Sequence, residues 1–355
     1  MSRKPLTLAA ATALIASPLW AEAPRVAIDI APVHSLVARV MEGVGAPDLV
    51  VAPGASPHDY SLRPSEASAL QEADIVIWMG ENLTPWMEGA VETLAGDATV
   101  LTLLEAEGTT LLEFRAGALF EAHMHGTGEG DDHGHDDHGH DDHGHDDHGH
   151  DDHGHDDHGH DDHGHDDHGH DDHAHDDHGH AHGAHDPHAW LSTGNAAAWL
   201  NIIAGAMSSA DPGNAGAYFA NAAAARAELE ALTAEVEAML APVRGQGFIV
   251  FHDAYQYFEE SFDLPASGAI SLSDATDPSP ARIAEIQARV AEQGVVCVLS
   301  EPQFDPGIVA AVMDGAEART AVLDPLGSTL QPGPALYGEV IRGLAETLAA
   351  CLSEG

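Results

Sequence analysis

The sequence predicts an α/β protein in two folded stretches separated by a low-complexity insert. Three observations carry this expectation. Short apolar runs alternate with helical patterns on both sides of the insert, the signature of α/β folding. The chain has 355 residues, more than one hydrophobic core usually organises, so two units are expected. Residues 131–180 are ten consecutive five-residue units, nine reading DDHGH and one, at 171–175, reading DDHAH. Nothing apolar larger than Ala174 occurs there, so the block cannot offset its chain entropy and is expected to be disordered.

The elements follow in chain order. Arg3 and Lys4 precede an apolar run over 6–19, and Trp20-Ala21 precedes Glu22. This reads as an export signal over 1–21 with cleavage after Ala21. The run is too short for a stable membrane span, and no later segment offers ~18 uninterrupted apolar residues. A soluble periplasmic protein is expected, without membrane insertion after cleavage. The first folded stretch, 22–122, carries strand-like runs at 26–30, 49–51, 75–79 and 99–103, with helical patterns at 34–42, 65–72 and 85–94. Residues 186–210 complete that unit beyond the insert. A helix is expected over 214–240, within a linking segment 211–243, because Ala and Glu dominate it and Asp211-Pro212 is a start signal. At ~1.5 Å per residue it reaches roughly 40 Å, enough for a strut between two lobes, though a packing helix within one lobe fits equally. The last stretch, 244–355, carries strands at 248–251, 295–299 and 321–323 and helices at 280–292, 306–316 and 335–352.

Charge and cysteine content exclude several classes. The chain has 12 Lys+Arg against 59 Asp+Glu, a formal net charge of -47. Removing the 20 repeat Asp still leaves -27, so the folded stretches are acidic and would be repelled by nucleic acid or an anionic membrane. Two Cys make no disulfide-rich scaffold and no multi-finger zinc fold. Cys297 lies in an apolar run and Cys351 at the end of a helical pattern. In an oxidising compartment they either pair, pinning the last helix to a sheet, or stay as buried thiols.

The repeat holds 20 of the 28 His. Neutral imidazole is a good ligand for zinc and other borderline metals. With His123, His125, His133, His135, His138, His140, His182 and His185, the stretch 123–185 reads as a flexible metal collector; a solvated spacer is the plainer reading. Four other residues stand apart. His58, His252 and Asp324 each follow a strand-like run, where open α/β sheets place their ligands, and His188 follows the repeat. Three imidazoles and a carboxylate would make a four-coordinate site suited to zinc. His34, after the first strand run, either lines the same cleft or simply starts a helix. Trp78, Trp86 and Trp190 read as core.

The motifs Gly54-Ala55-Ser56-Pro57-His58-Asp59-Tyr60, Asp186-Pro187-His188-Ala189-Trp190, Phe251-His252-Asp253-Ala254-Tyr255, Ser300-Glu301-Pro302-Gln303-Phe304 and Leu323-Asp324-Pro325-Leu326-Gly327 carry a resemblance. With them the chain resembles the zinc-binding solute-binding proteins of bacterial ABC uptake systems, the ZnuA-like family. The resemblance implies two lobes, each a mostly parallel sheet with flanking helices, joined by one long helix, with zinc in the interlobe cleft. It implies delivery to an inner-membrane ABC permease by a monomer that is not an enzyme, and pairing of Cys297 with Cys351. His58, His188 and His252 match the family's three His ligands. Asp324 or water fills the fourth position, since Pro57 stands where some relatives have Glu, and Glu301 and Tyr255 stand behind the ligands. A third imidazole in place of the Glu of manganese-type relatives favours zinc. Against a zinc hydrolase, the chain has no His-Glu-x-x-His helix and no Gly-x-Ser-x-Gly turn. A metal buffer without a permease is the remaining alternative.

Overall fold

The computed structural model describes residues 23–115, 185–271, 278–292, 294–315 and 317–353. The expected export signal and the repeat lie outside the described residues, as do His123, His125, His133, His135, His138, His140 and His182.

Two four-stranded parallel sheets carry the described fold. In the first, β1 (Val26–Ile28), β2 (Asp48–Leu49), β3 (Ile75–Trp78) and β4 (Thr99–Thr102) lie in the order β2-β1-β3-β4. In the second, β5 (Gly247–His252), β6 (Gly268–Ser271), β7 (Val295–Ser300) and β8 (Arg319–Val322) repeat that order as β6-β5-β7-β8. The central strands are continuous apolar runs because parallel sheets are covered on both faces; every residue of β1 and β3 is buried. At the end of β1, the buried Asp29 carboxylate accepts from the Ile30 and Met79 N–H groups at 2.8 and 2.7 Å, tying β1 to β3. Burial pushes its carboxyl up to about 7.

Nine helices surround the sheets among the described residues: α1 (Ala31–Val40), α2 (Pro64–Glu72), α3 (Pro85–Leu94), α4 (Thr193–Ala210), α5 (Ala215–Leu240), α6 (Gln256–Phe262), α7 (Pro280–Glu292), α8 (Pro306–Val312) and α9 (Leu336–Ser353). Helices α2 and α3 cover the outer face of the first sheet through Leu70, Met87 and Val91. Helices α7 and α8 cover that of the second through Ile286, Val290, Val309 and Val312. The inner faces of both sheets join one continuous core with α1, α4, α5 and α9.

Helix α5 is the axis of that core. Its buried residues, Tyr218, Ala222, Ala225, Leu229, Leu232, Val236 and Leu240, recur every three or four positions and form one stripe. At 26 residues it is about 39 Å long. Outside the stripe, Glu228 pairs with Arg39 of α1 at 2.7 Å and Glu235 with Arg342 of α9 at 2.8 Å. It therefore connects the sheets and packs as core along its length.

Cys297 of β7 and Cys351 of α9 are disulfide-bonded, with Cα atoms 6.0 Å apart. Helices α4 and α6 and strand β6 have no counterpart among the expected elements. Apolar and small residues surround α4 so evenly that its periodicity is faint, while α6 and β6 have seven and four residues, too few for a period to register. No helix among the described residues is long and apolar enough to cross a membrane.

Candidate metal centre

The carboxyl ends of strands from both sheets meet at one small cavity. His58 sits on the loop that follows β2, and His252 is the last residue of β5. Glu301 directly follows β7, and Pro325 and Leu326 lie beyond β8. His188 enters from the turn Ala189–Leu191 that leads into α4. The cavity has about 20 Å³ available to a water-sized centre, the scale of one ion or water rather than of an organic ligand.

Three imidazoles converge there. His188 Nε2 lies 3.2 Å from His58 Nε2 and 3.4 Å from His252 Nε2, and the donor atoms of all three fall within 4.8 Å of one another. A tetrahedral zinc with Zn–N of about 2.0–2.1 Å requires ligand nitrogens about 3.3–3.4 Å apart. Two of the separations match that edge.

Carboxylates orient two of the rings. His188 Nδ1 donates to Asp186 Oδ1 at 2.7 Å, and the same oxygen accepts from the His188 backbone N–H at 2.9 Å. His252 Nδ1 donates to Glu301 Oε1 at 2.6 Å. An acceptor at Nδ1 places the proton there and leaves the Nε2 lone pair facing the cavity, the tautomer a metal needs. Burial pushes the Asp186 carboxyl up to about 7, against the opposing pull of the His188 N–H group and of Arg115 and His252. Glu301→Ala is expected to weaken zinc binding by about 10–100-fold; unchanged affinity in chelator competition would mean that His252 needs no orienting partner.

His58 is held differently. Trp86 Nε1 donates to Pro57 O at 2.7 Å, and the His58 N–H donates to Ser56 Oγ at 3.2 Å. Tyr60 closes the loop, its hydroxyl donating to Glu66 Oε1 at 2.7 Å and accepting from the Ala52 N–H at 3.3 Å. His58 is half-buried, whereas His188 and His252 are buried.

Asp324 is not brought into the imidazole cluster. Its carboxylate accepts from the Leu326, Gly327 and Ser328 N–H groups at 3.2, 2.9 and 2.6 Å and from the Ser328 hydroxyl at 2.6 Å. Four donors of its own loop hold it. Pro325 O accepts from Trp190 Nε1 at 3.0 Å. Gly327 has φ +69°, and a Cβ there would meet Val340 Cγ2 at 2.8 Å, so only glycine fits the turn. Tyr255 is buried beside His252, their rings 6.3 Å apart. Burial, then the negative charges of Glu301 and Asp324, push its hydroxyl far above the usual tyrosine range. His34 is buried in α1 with Nε2 3.1 Å from Pro47 O, away from the cavity lining. Trp190 is both core and cavity wall, its ring 5.2 Å from His188.

Asp186 and Arg115, both near the centre, have no role in the sequence reading. Asp186 could have been found as a carboxylate two positions before a candidate His ligand. Arg115 carried no such signal. It pairs with Asp253, next to His252, and with Glu259 of α6 at 2.7 Å. Nearby, Asp186 N donates to Leu112 O at 2.8 Å, and Glu113 forms an antiparallel bridge with His185. The described residues on either side of the insert, Arg115 and His185, thus lie beside the imidazole cluster, and His185 serves there in a backbone bridge.

The family model for the periplasmic zinc-uptake complex component A, ZnuA, matches residues 26–351. The chain belongs to the ZnuA family. It is 44% identical over 348 residues to the high-affinity zinc uptake system protein ZnuA of Paracoccus denitrificans (strain Pd 1222), covering 98% of this chain and 97% of that relative. It is 42% identical over 338 residues to ZnuA of Brucella suis biovar 1 (strain 1330), covering 95% and 94%. Among solved structures, a crystal structure of ZnuA aligns with TM-score 0.65 at 20% identity, covering 92% of this chain and 98% of that one. A zinc-bound ZnuA deletion mutant aligns with TM-score 0.67 at 20% identity, covering 94% and 99%. These structural likenesses establish the fold. ZnuA membership makes the chain a periplasmic component of a zinc-uptake complex, a transport binding protein and not an enzyme, with zinc as cargo rather than resident cofactor.

Proposed function

We propose that the protein captures Zn2+ with His58, His188 and His252 and delivers it, as a monomer, to an inner-membrane ABC permease. The observation that carries this reading is the convergence of three Nε2 atoms at 3.2 and 3.4 Å, with two of the rings backed by carboxylates. In this reading 22–122 and 186–210 form one lobe, 211–243 links it to the lobe 244–355, and zinc sits between them. The His/Asp-rich stretch 123–185 collects or buffers zinc. Release begins at His58, which is half-buried and carried by a loop, while His188 and His252 stay locked to their carboxylates.

The test is growth of a strain lacking the gene in zinc-depleted medium. The wild-type chain restores growth, and so does a chain lacking 123–184, with a smaller zinc reserve. A chain with His58, His188 and His252 all replaced by Ala does not. Rescue by that triple variant would refute the proposal.

A further inference from the structure

The cavity contains one polar side chain with no assigned partner. Pro57, Trp190, Phe304, Pro325 and Leu326 are its apolar walls. Of its other polar residues, Glu301 Oε1 is taken by His252 and Ser56 Oγ by the His58 N–H. Gln303 also lines the cavity, and both its amide oxygen and its amide nitrogen are shielded from solvent without a hydrogen-bond partner among the described residues. A primary amide buried in that condition is costly and rare in folded proteins. The burial of its amide oxygen is accounted for if an O–H donor arrives with the cargo.

Zinc coordination supplies such a partner. Three imidazoles leave one corner of a tetrahedron open, and Asp324 is engaged by its own loop. A water suits that corner, and once bound through its lone pair it has two O–H groups to donate, for which Gln303 Oε1 is an acceptor.

We propose that Gln303 holds a metal-bound water as the fourth ligand and so helps set affinity and metal preference at this site. This rests on the three-imidazole reading above. The experiment compares full-length wild type, Gln303→Leu, Gln303→Glu and His188→Ala by zinc titration against a competing chelator and by the visible spectrum with one equivalent of cobalt(II). The insert is the same in all four, so differences belong to the cavity. Gln303→Leu is expected to lose about 10–100-fold in zinc affinity, the usual cost of removing a partner that orients a ligand, and to shift the cobalt bands. Gln303→Glu, which keeps an oxygen acceptor, recovers most of the affinity. Wild-type affinity and an unchanged cobalt spectrum in Gln303→Leu would overturn the Gln303 assignment alone. Retention of tight binding in His188→Ala would overturn the three-imidazole site itself.

Discussion

Replacing His188 with Ala is expected to lower zinc affinity by more than the 10–100-fold that loss of an orienting partner costs. His188 is the shared vertex of the cluster, with its Nε2 3.2 Å from that of His58 and 3.4 Å from that of His252. It is also buried and fixed by Asp186. The fold should survive, because the Asp186 carboxylate still accepts the residue-188 backbone N–H. Chelator competition with the full chain separates this tight site from the weaker sites expected of a flexible His/Asp chain, whose ordering opposes binding. His58→Ala should be milder, since His58 is half-buried on a loop and water can reach its place. Equal affinities for wild type and His188→Ala would contradict the assignment.

Removing the disulfide has the second large effect. The bond joins β7 to α9 across 54 residues, and loss of a native bridge of this kind typically costs about 2–5 kcal/mol. Helix α9 supplies Leu336, Tyr337, Val340, Ile341, Leu344 and Leu348 to the shared core, so its release would reach both sheets. Urea unfolding of the metal-free protein should show a lower midpoint for the double variant Cys297→Ala, Cys351→Ala, and the wild type with reductant should move toward it. Glu301 directly follows β7 and is fixed to His252, so zinc affinity of the folded variant should stay close to wild type. A midpoint that does not move would show that packing alone holds α9.

The α/β class was legible because buried parallel strands leave continuous apolar runs, as in Ile75–Trp78 and Val295–Ser300. Helix α5 was legible from its composition, and its boundary at Leu240 coincides with the expected one. Its packing was not, because a buried stripe of Ala and Leu looks the same within one lobe as between two. The three candidate His, which the fold brings together, were readable from their motifs and from two of them following strands. Asp324 shows the limit of that reasoning. A carboxylate after a strand has the same sequence signature whether it faces a cleft or folds back on its own loop, and here the N–H groups of residues 326–328 capture it. Arg115 contacts residues 138 and 144 positions away, which no local pattern encodes. The orphaned Gln303 amide is likewise visible only once the cavity has closed around it.

The most direct test of the central claim is a crystal structure of the zinc-loaded protein with anomalous data collected at the zinc edge. The expected result is one strong peak about 2.0–2.1 Å from Nε2 of each of His58, His188 and His252. Zinc bound elsewhere on the chain, with no peak among these three imidazoles, would contradict it.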